Sequence, residues 1–286
     1  MLKTDYSLGM GGGISGYPTM IAALTSLGLT SDLKLCLDAG DANSYTSGQS
    51  WLDTSGGGYD FHFGATGSSG TDDPSFNGTA GGLSNAEYMS TAGGDFFEYD
   101  QTTPETWMNN MHKNNAIVAI ACWIYPDALT QETRMWSTNG GSVGTRIGTN
   151  YRGETTSGNL ALYVGRSDGE FKALKNTADT ALSVDEWNFV GYSLNEATGS
   201  GGGFHYLNGA YNQVSSSDTF TSTYSSPTSS DISGDPSIMG DSRESTQAAF
   251  PSGGRYAMLA VWEGGTQISK ANFDSIYALT NRDFRT

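Results

Sequence analysis

Residues 116–126, AIVAIACWIYP, form the longest apolar run of β-forming residues in the chain. Both sets of alternate positions are apolar: Ile117, Ala119, Ala121 and Trp123 on one face, Val118, Ile120, Cys122 and Ile124 on the other. A surface strand would alternate with polar residues, so this run reads as a strand buried on both sides. A helix of the same length is the competing reading, but Val118 and the three isoleucines disfavour it and Pro126 ends the run.

The surrounding composition agrees. The chain of 286 residues contains 39 glycines, and only 15% of it is charged. Glycine stands at about twice its usual share of roughly 7%. It is scattered with Ser, Thr, Asn and Asp between short apolar runs, the punctuation of many short strands and turns. The length suits one large all-β domain. Thirty acidic against fourteen basic residues give a net charge of −16, which argues against a phosphate-neutralising nucleic-acid surface and against a basic membrane-adhesion patch. An acidic surface allows solubility, divalent cations and neutral ligands such as sugars, with solubility the plainest of these. Cys36 and Cys122 each lie inside an apolar strand-like run, with no CxxC and no Cys/His cluster, so both are expected as buried free thiols. No apolar run approaches the roughly 18 residues of a spanning helix. Met20 to Leu29 is not expected to be a secretory signal, because glycine and polar residues separate it from Lys3 and no small-x-small site follows.

Ahead of the β region, residues 1–16 read as a Gly-rich arm. Residues 17–29 read as a short amphipathic helix, with Pro18 at its first position and Met20, Ile21, Leu24 and Leu27 along one side. That stripe must bury against the main domain or against another subunit. Gly11, Gly13 and Gly16 match G-x-G-x-x-G, and Asp38 follows about 20 residues on. A dinucleotide loop needs a buried strand before the first glycine, however, and TDYSL is short and polar; nor does alternating β and α pattern follow. The arm is the better reading.

From Leu33 the strand-like runs succeed one another. PETWMNNMHK interrupts them as a short helix with Pro104 and Glu105 in its first turn. Asp168-Gly169 and Asn208-Gly209 signal two hairpins with type I′ turns. A closing helix runs from Lys270 to about Asn281; Ser269 is its cap, and Phe273, Ile276, Tyr277 and Thr280 share a face expected to pack back onto the sheets.

The order of these pieces resembles the laminin G-like branch of the concanavalin A-like lectin and glucanase jelly rolls, as found in tailed-phage structural proteins. The resemblance is carried by LCLDAGDANSY with WLDTSGGGYDFHFG, by IVAIACWIYPDA, by EWNFVGYSLN with GGGFHYLNGAYN, and by SIMGD followed by GGRYAMLAVWEGGTQISKANFDSIY. It spans about residues 33–282. It implies an all-β antiparallel jelly-roll sandwich at 31–286, with 1–30 as an arm and short helix for attachment or oligomerisation. Members of this family bind glycans, cleave them or serve as structural modules, so the site must decide.

Catalysis in such a fold would need two or three carboxylates at even spacing on one strand. Glu98 and Asp100 come closest, but Thr102 and Thr103 stand where the next acid would be. Gly165 to Gly169 matches G-x-S-x-G, yet Ser167 precedes Asp-Gly and another β-like run, where a nucleophile elbow needs a helix. His62, His112 and His205 lack zinc-helix spacing. No enzyme is expected.

For sugar binding, Trp51, Trp123, Trp187 and Trp262 match family core positions, which leaves Trp107, Trp136, Tyr151 and Tyr211 as candidate platforms. Asp38, Asp41 and Asp241 are the candidate Ca²⁺ ligands. The reading reached is a non-enzymatic virion surface protein of a tailed phage. It is a head decoration or fibre, or else a tail appendage, with the first ahead of the second, attached to other virion proteins through its N-terminal arm and Pro18, Met20, Ile21, Leu24 and Leu27 and assembled as a homo-oligomer. A carbohydrate-binding module for host glycans is the alternative, and a glycoside hydrolase the third.

Overall fold

Residues 117–125 form the strand on which the rest is hung, with seven consecutive buried residues between half-buried ends. The computed structural model describes residues 17–113, 115–129, 133–138, 146–151, 160–165, 171–175, 182–195, 202–213, 231–232, 235–240 and 250–285. In chain order the strands are β1 Leu33–Asp38, β2 Ser50–Trp51, β3 Phe61–Phe63, β4 Ser75–Asn77, β5 Tyr88–Ser90, β6 Phe97–Tyr99, β7 Ile117–Tyr125, β8 Arg134–Ser137, β9 Arg146–Tyr151, β10 Leu160–Gly165, β11 Phe171–Lys175, β12 Asn188–Asn195, β13 Gly203–Leu207, β14 Ala210–Gln213, β15 Ser237–Ile238 and β16 Arg255–Glu263. The helices are α1 Met20–Ser26, α2 Thr106–Asn110 and α3 Lys270–Thr280.

These strands make two eight-stranded sheets, ordered β14-β13-β12-β7-β16-β5-β4 with β1 also on β16, and β11-β10-β9-β8-β15-β6-β3-β2. The strand pairings are antiparallel, as the jelly-roll expectation requires. The even face of β7 (Val118, Ile120, Cys122, Ile124) joins Trp51, Phe61, Phe97 and Trp136 of the second sheet in the core between the sheets. Its odd face (Ala119, Ala121, Trp123) lies in a separate outer layer with α1 and α3. Helices on the outside of the first sheet are thus what bury β7 twice. Each large side chain so buried contributes about 1.5–3 kcal/mol.

Residues on that outer face are small where α3 sits. A Cβ added at Gly191 of β12 would meet ring atoms of Phe273 at 2.7 Å, so α3 rests directly on the strand backbone. Ser269 and Asn272 form a capping box at its start, and Trp123 Nε1 donates to Thr280 Oγ1 at 2.8 Å near its end. Phe273, Ile276 and Thr280 are buried, as the periodicity predicts. Arg282 and Asp283 then take left-handed φ of 38° and 59°, turning the chain so that Phe284 packs on Trp187 with centroids 4.5 Å apart.

The first helix differs from its expected role. It begins at Met20 with Thr19 as its cap, so Pro18 precedes the helix rather than taking its first position; Met20 and Leu24 are fully buried in the chain's own outer layer, with Ile21 and Leu27 packed against it. Its stripe is covered intramolecularly, so the attachment role given to these residues is corrected, and the boundary at residue 30 falls behind a helix belonging to the packed unit. A buried ion pair fixes this arrangement. Asp38 Oδ1 accepts from Arg282 Nη1 at 2.8 Å and from Gly40 N–H at 2.9 Å, while Oδ2 accepts from Met20 N–H at 2.8 Å and from Arg282 Nη2. Arg282 Nη2 also reaches the Pro18 carbonyl at 3.2 Å.

One hairpin follows its dipeptide, while Asp168-Gly169 of the other lies outside the described residues. Asn208 and Gly209 have φ of 50° and 90°, the two left-handed residues of a type I′ turn, between paired Leu207 and Ala210. β10 and β11 pair antiparallel with Gly165 opposite Phe171, so strand and not helix follows the G-x-S-x-G segment, whose Ser167 lies outside the described residues. Gly11, Gly13 and Gly16 also lie outside them. Both cysteines are buried and free; burial pushes the Cys122 thiol up to about 12 and that of Cys36 further.

Candidate functional site

A β-bulge in β16 creates the most suggestive surface on the molecule. Along β16, Tyr256 pairs with Ile124 and Met258 with Trp123, so Ala257 is an extra residue. Ala257 and Met258 both belong to the outer layer, whereas Tyr256 and Leu259 belong to the core between the sheets. Regular alternation from Met258 would turn Tyr256 outward and Arg255 inward. The inserted residue reverses this and sets Arg255 on the outer face, opposite Tyr125 of β7 and Ser90 of β5.

There Arg255 lies over two half-buried rings, with its Cζ 4.1 Å from the centroid of Tyr125 and 4.9 Å from that of Tyr88. Trp187 closes the group edge-on, 5.7 Å from Tyr125 and 5.8 Å from Tyr88. The frame behind it is rigid. Arg285 Nη1 donates to the Trp187 carbonyl at 2.6 Å, Asp185 N–H to that of Pro126 at 2.9 Å, and Asn188 Nδ2 to those of Ser183 and Glu186 at 2.9 and 2.8 Å. On the other flank Asn77 Nδ2 donates to Ser90 Oγ at 2.8 Å, tying β4 to β5. Among the described residues, neither the Arg255 guanidinium nor the hydroxyls of Tyr88 and Tyr125 make any hydrogen bond or ion pair. Aromatic faces beside unengaged donors suit a polyhydroxylated ring: the rings take its C–H face, and the donors take its oxygens.

The residues singled out in the sequence are placed otherwise. Trp107 and Trp136 are 5% and 0% exposed and stack on each other at 6.1 Å and 12°, so both rings are core and neither offers a face to a sugar. Tyr151 ends β9 opposite Leu160, and Tyr211 lies in β14 opposite Tyr206; the two are on different sheets. Asp38 is engaged by Arg282, and Asp41 Oδ1 accepts from the backbone and side chain of Asn43 at 2.8 and 3.1 Å. Asp241 lies outside the described residues, and among those described no group of three acidic, His or Cys side chains is arranged to hold a metal ion. Glu98 sits in β6 opposite His62 and Ser237, while Asp100 lies beyond the strand end and is exposed. His62, His112 and His205 are buried at three separate places.

Sequence reasoning missed Tyr88, Tyr125 and Arg255, while its assignment of Trp187 to the core agrees with that ring's burial. The available signal was Tyr125 closing the central strand just before Pro126, with the Arg255-Tyr256 pair opening the strand beside it. Only the register brings them together.

No family model matches the chain, and no curated protein sequence matches it. Among solved structures it is similar to the binding domain of botulinum neurotoxin serotype D, with TM-score 0.55 and 15% identity over 87% of this chain and 52% of that one. The serotype C1 binding domain gives 0.51 and 14% over 90% and 53%. Domain 4 of AbnA, a GH43 extracellular arabinanase from Geobacillus stearothermophilus solved in complex with arabinotriose, gives 0.52 and 13% over 86% and 98%. The chain thus spans about half the length of the neurotoxin domains and nearly all of the arabinanase domain. At these identities the likeness is one of fold, an antiparallel β-sandwich shared with binding domains.

Proposed function

We propose that this chain is a non-enzymatic glycan-binding module that takes its ligand on the Arg255 face of the first sheet. The observation that carries the reading is the pair of half-buried rings, Tyr88 and Tyr125, beside a guanidinium and two hydroxyls with no partner among the described residues. The arabinanase domain of similar fold, solved with arabinotriose, supports it as a precedent for sugar on this architecture. The test is a glycan panel followed by titration calorimetry on the intact chain, with and without Ca²⁺. Binding should appear for at least one glycan class and weaken about tenfold or more in Tyr125→Ala, the scale of one lost ring contact. A panel without hits under either condition would sink the reading.

The finer reading is that the module is displayed on the surface of a tailed-phage particle, as a head decoration or fibre ahead of a tail appendage, and as a homo-oligomer. Its support is the ordered series of jelly-roll motifs in residues 33–282. Because residues 17–29 are packed on their own domain, the tether in this reading is residues 1–16. Quantitative mass spectrometry of purified particles tests it: tens to hundreds of copies against the major capsid protein fit a decoration or fibre, a few copies fit the tail, and absence overturns virion display. Light scattering of the intact chain tests assembly, with a monomer as the contrary result.

A further inference from the structure

We infer that the sugar recognised at this face is an acidic one, its oxyanion held by Arg255; the inference rests on the glycan-binding reading above. Arg255 is an unusual cation in this protein. The chain carries 14 basic residues against 30 acidic ones, and most described basic side chains near an acid are paired: Lys113 with Asp231, Lys270 with Asp274, Arg282 with Asp38 and Arg285 with Glu186. Arg255 has no such partner among the described residues. It is instead held by two ring faces, Tyr125 at 4.1 Å and Tyr88 at 4.9 Å.

This arrangement has a chemical consequence. The rings attract the charge of the guanidinium, and among the described residues no acceptor takes its N–H fork. That fork is what grips a carboxylate or a sulfate ester, through two parallel charge-assisted hydrogen bonds. The cost of ordering a long side chain is already met by the rings, so a bound oxyanion finds the donors in place. The hydroxyls of the same two rings, Tyr88 and Tyr125, are two further donors. A sugar whose ring lies on one tyrosine would bring a ring-borne acid group within reach of Arg255. The bulge at Ala257 is what makes this possible, since without it Arg255 would face the core.

The test compares matched ligands on the intact chain at physiological ionic strength, where long-range repulsion from the net charge is screened. Tri-galacturonate, neutral galactotriose and a sulfated galacto-oligosaccharide are titrated against wild type, Arg255→Gln and Arg255→Lys, with thermal melts confirming that each variant is folded. The expected result is that an acidic ligand binds wild type about tenfold or more tightly than the neutral one, the scale of a charge-assisted pair. Arg255→Gln should abolish this preference, because it weakens the acidic ligand far more than the neutral one, which loses only a neutral donor. Arg255→Lys should keep part of it. Comparison of the uronate with the sulfate ester identifies which oxyanion the fork takes. Equal binding of acidic and neutral ligands by wild type, or a preference that survives Arg255→Gln, overturns the inference and leaves the glycan-binding reading standing. Binding of none of the three, together with an empty glycan panel, overturns both.

Discussion

Asp95 shows how one buried side chain sets a pH dependence in an acidic protein. It is 3% exposed, and burial raises its pKa; the nearby Asp72 and Asp73 carboxylates add to the rise, while hydrogen bonds from Ala92 and Thr91 act against it. An acid whose folded pKa lies above its ordinary value of 3.8 favours folding while protonated, and that contribution is lost as pH climbs through the folded pKa. Asp95→Asn removes the charge and keeps an oxygen for the Ala92 N–H, which donates at 2.7 Å. The variant should therefore melt above wild type at pH 7, with the difference vanishing once pH falls below the ordinary carboxylate value; a constant offset across a melting series would show that ionisation is not the cause. The candidate site shows the limit of reading single residues. Trp107 and Trp136 were candidate platforms because they match no core position of the resembled family, yet they stack in the core. Nothing in the sequence singles out Arg255, because its outward direction depends on one extra residue two positions on, which no local preference marks.

Elements were legible wherever the signal is local. The double apolar pattern of β7, the Asn208-Gly209 turn and the Ser269 cap each depend on neighbours within a few residues, and each is present. What covers the outer face of β7 is not local. Its Ala119 and Ala121, with Gly191 on the adjoining strand, form a shelf of small residues, and only the contact with Phe273 shows that the shelf is made for a helix. Gly191→Ala should cost about 1–3 kcal/mol, because the new methyl lands on the Phe273 ring. Phe273→Leu in the same chain should recover part of that loss, and a double-mutant cycle from denaturant melts measures the coupling. Strict additivity would mean that the helix does not press on that strand. For α1 the same logic explains why the stripe alone could not name its partner: a helix needs a covered face, and its sequence does not say whose.

On the scale of the whole molecule, the two sheets, the helical layer and the site are joined through one side. Sheet order and the layer outside β7 place α1, α3 and the Arg255 face together on the first sheet, while the second sheet has its own outer surface. The sequence anticipated the sandwich and the return of α3 onto it, but left open whether α1 would join that layer, because this depends on how the chain's two flanks meet. They meet at Asp38. Arg282 grips both that carboxylate and the Pro18 carbonyl, and the Tyr17 hydroxyl donates to Asp283 at 2.7 Å. Residues 17 and 283 are therefore fastened to each other as well as to β1. Under tension between the two ends, the load path closes through this clasp and bypasses the hydrogen-bond ladders of the sheets. In a single-molecule pulling experiment the first rupture should release only the flanking helices, at a force that Asp38→Ala lowers, with both sheets yielding later. A chain mounted in this way would hold the strands of the Arg255 face unstrained while its anchorage is pulled.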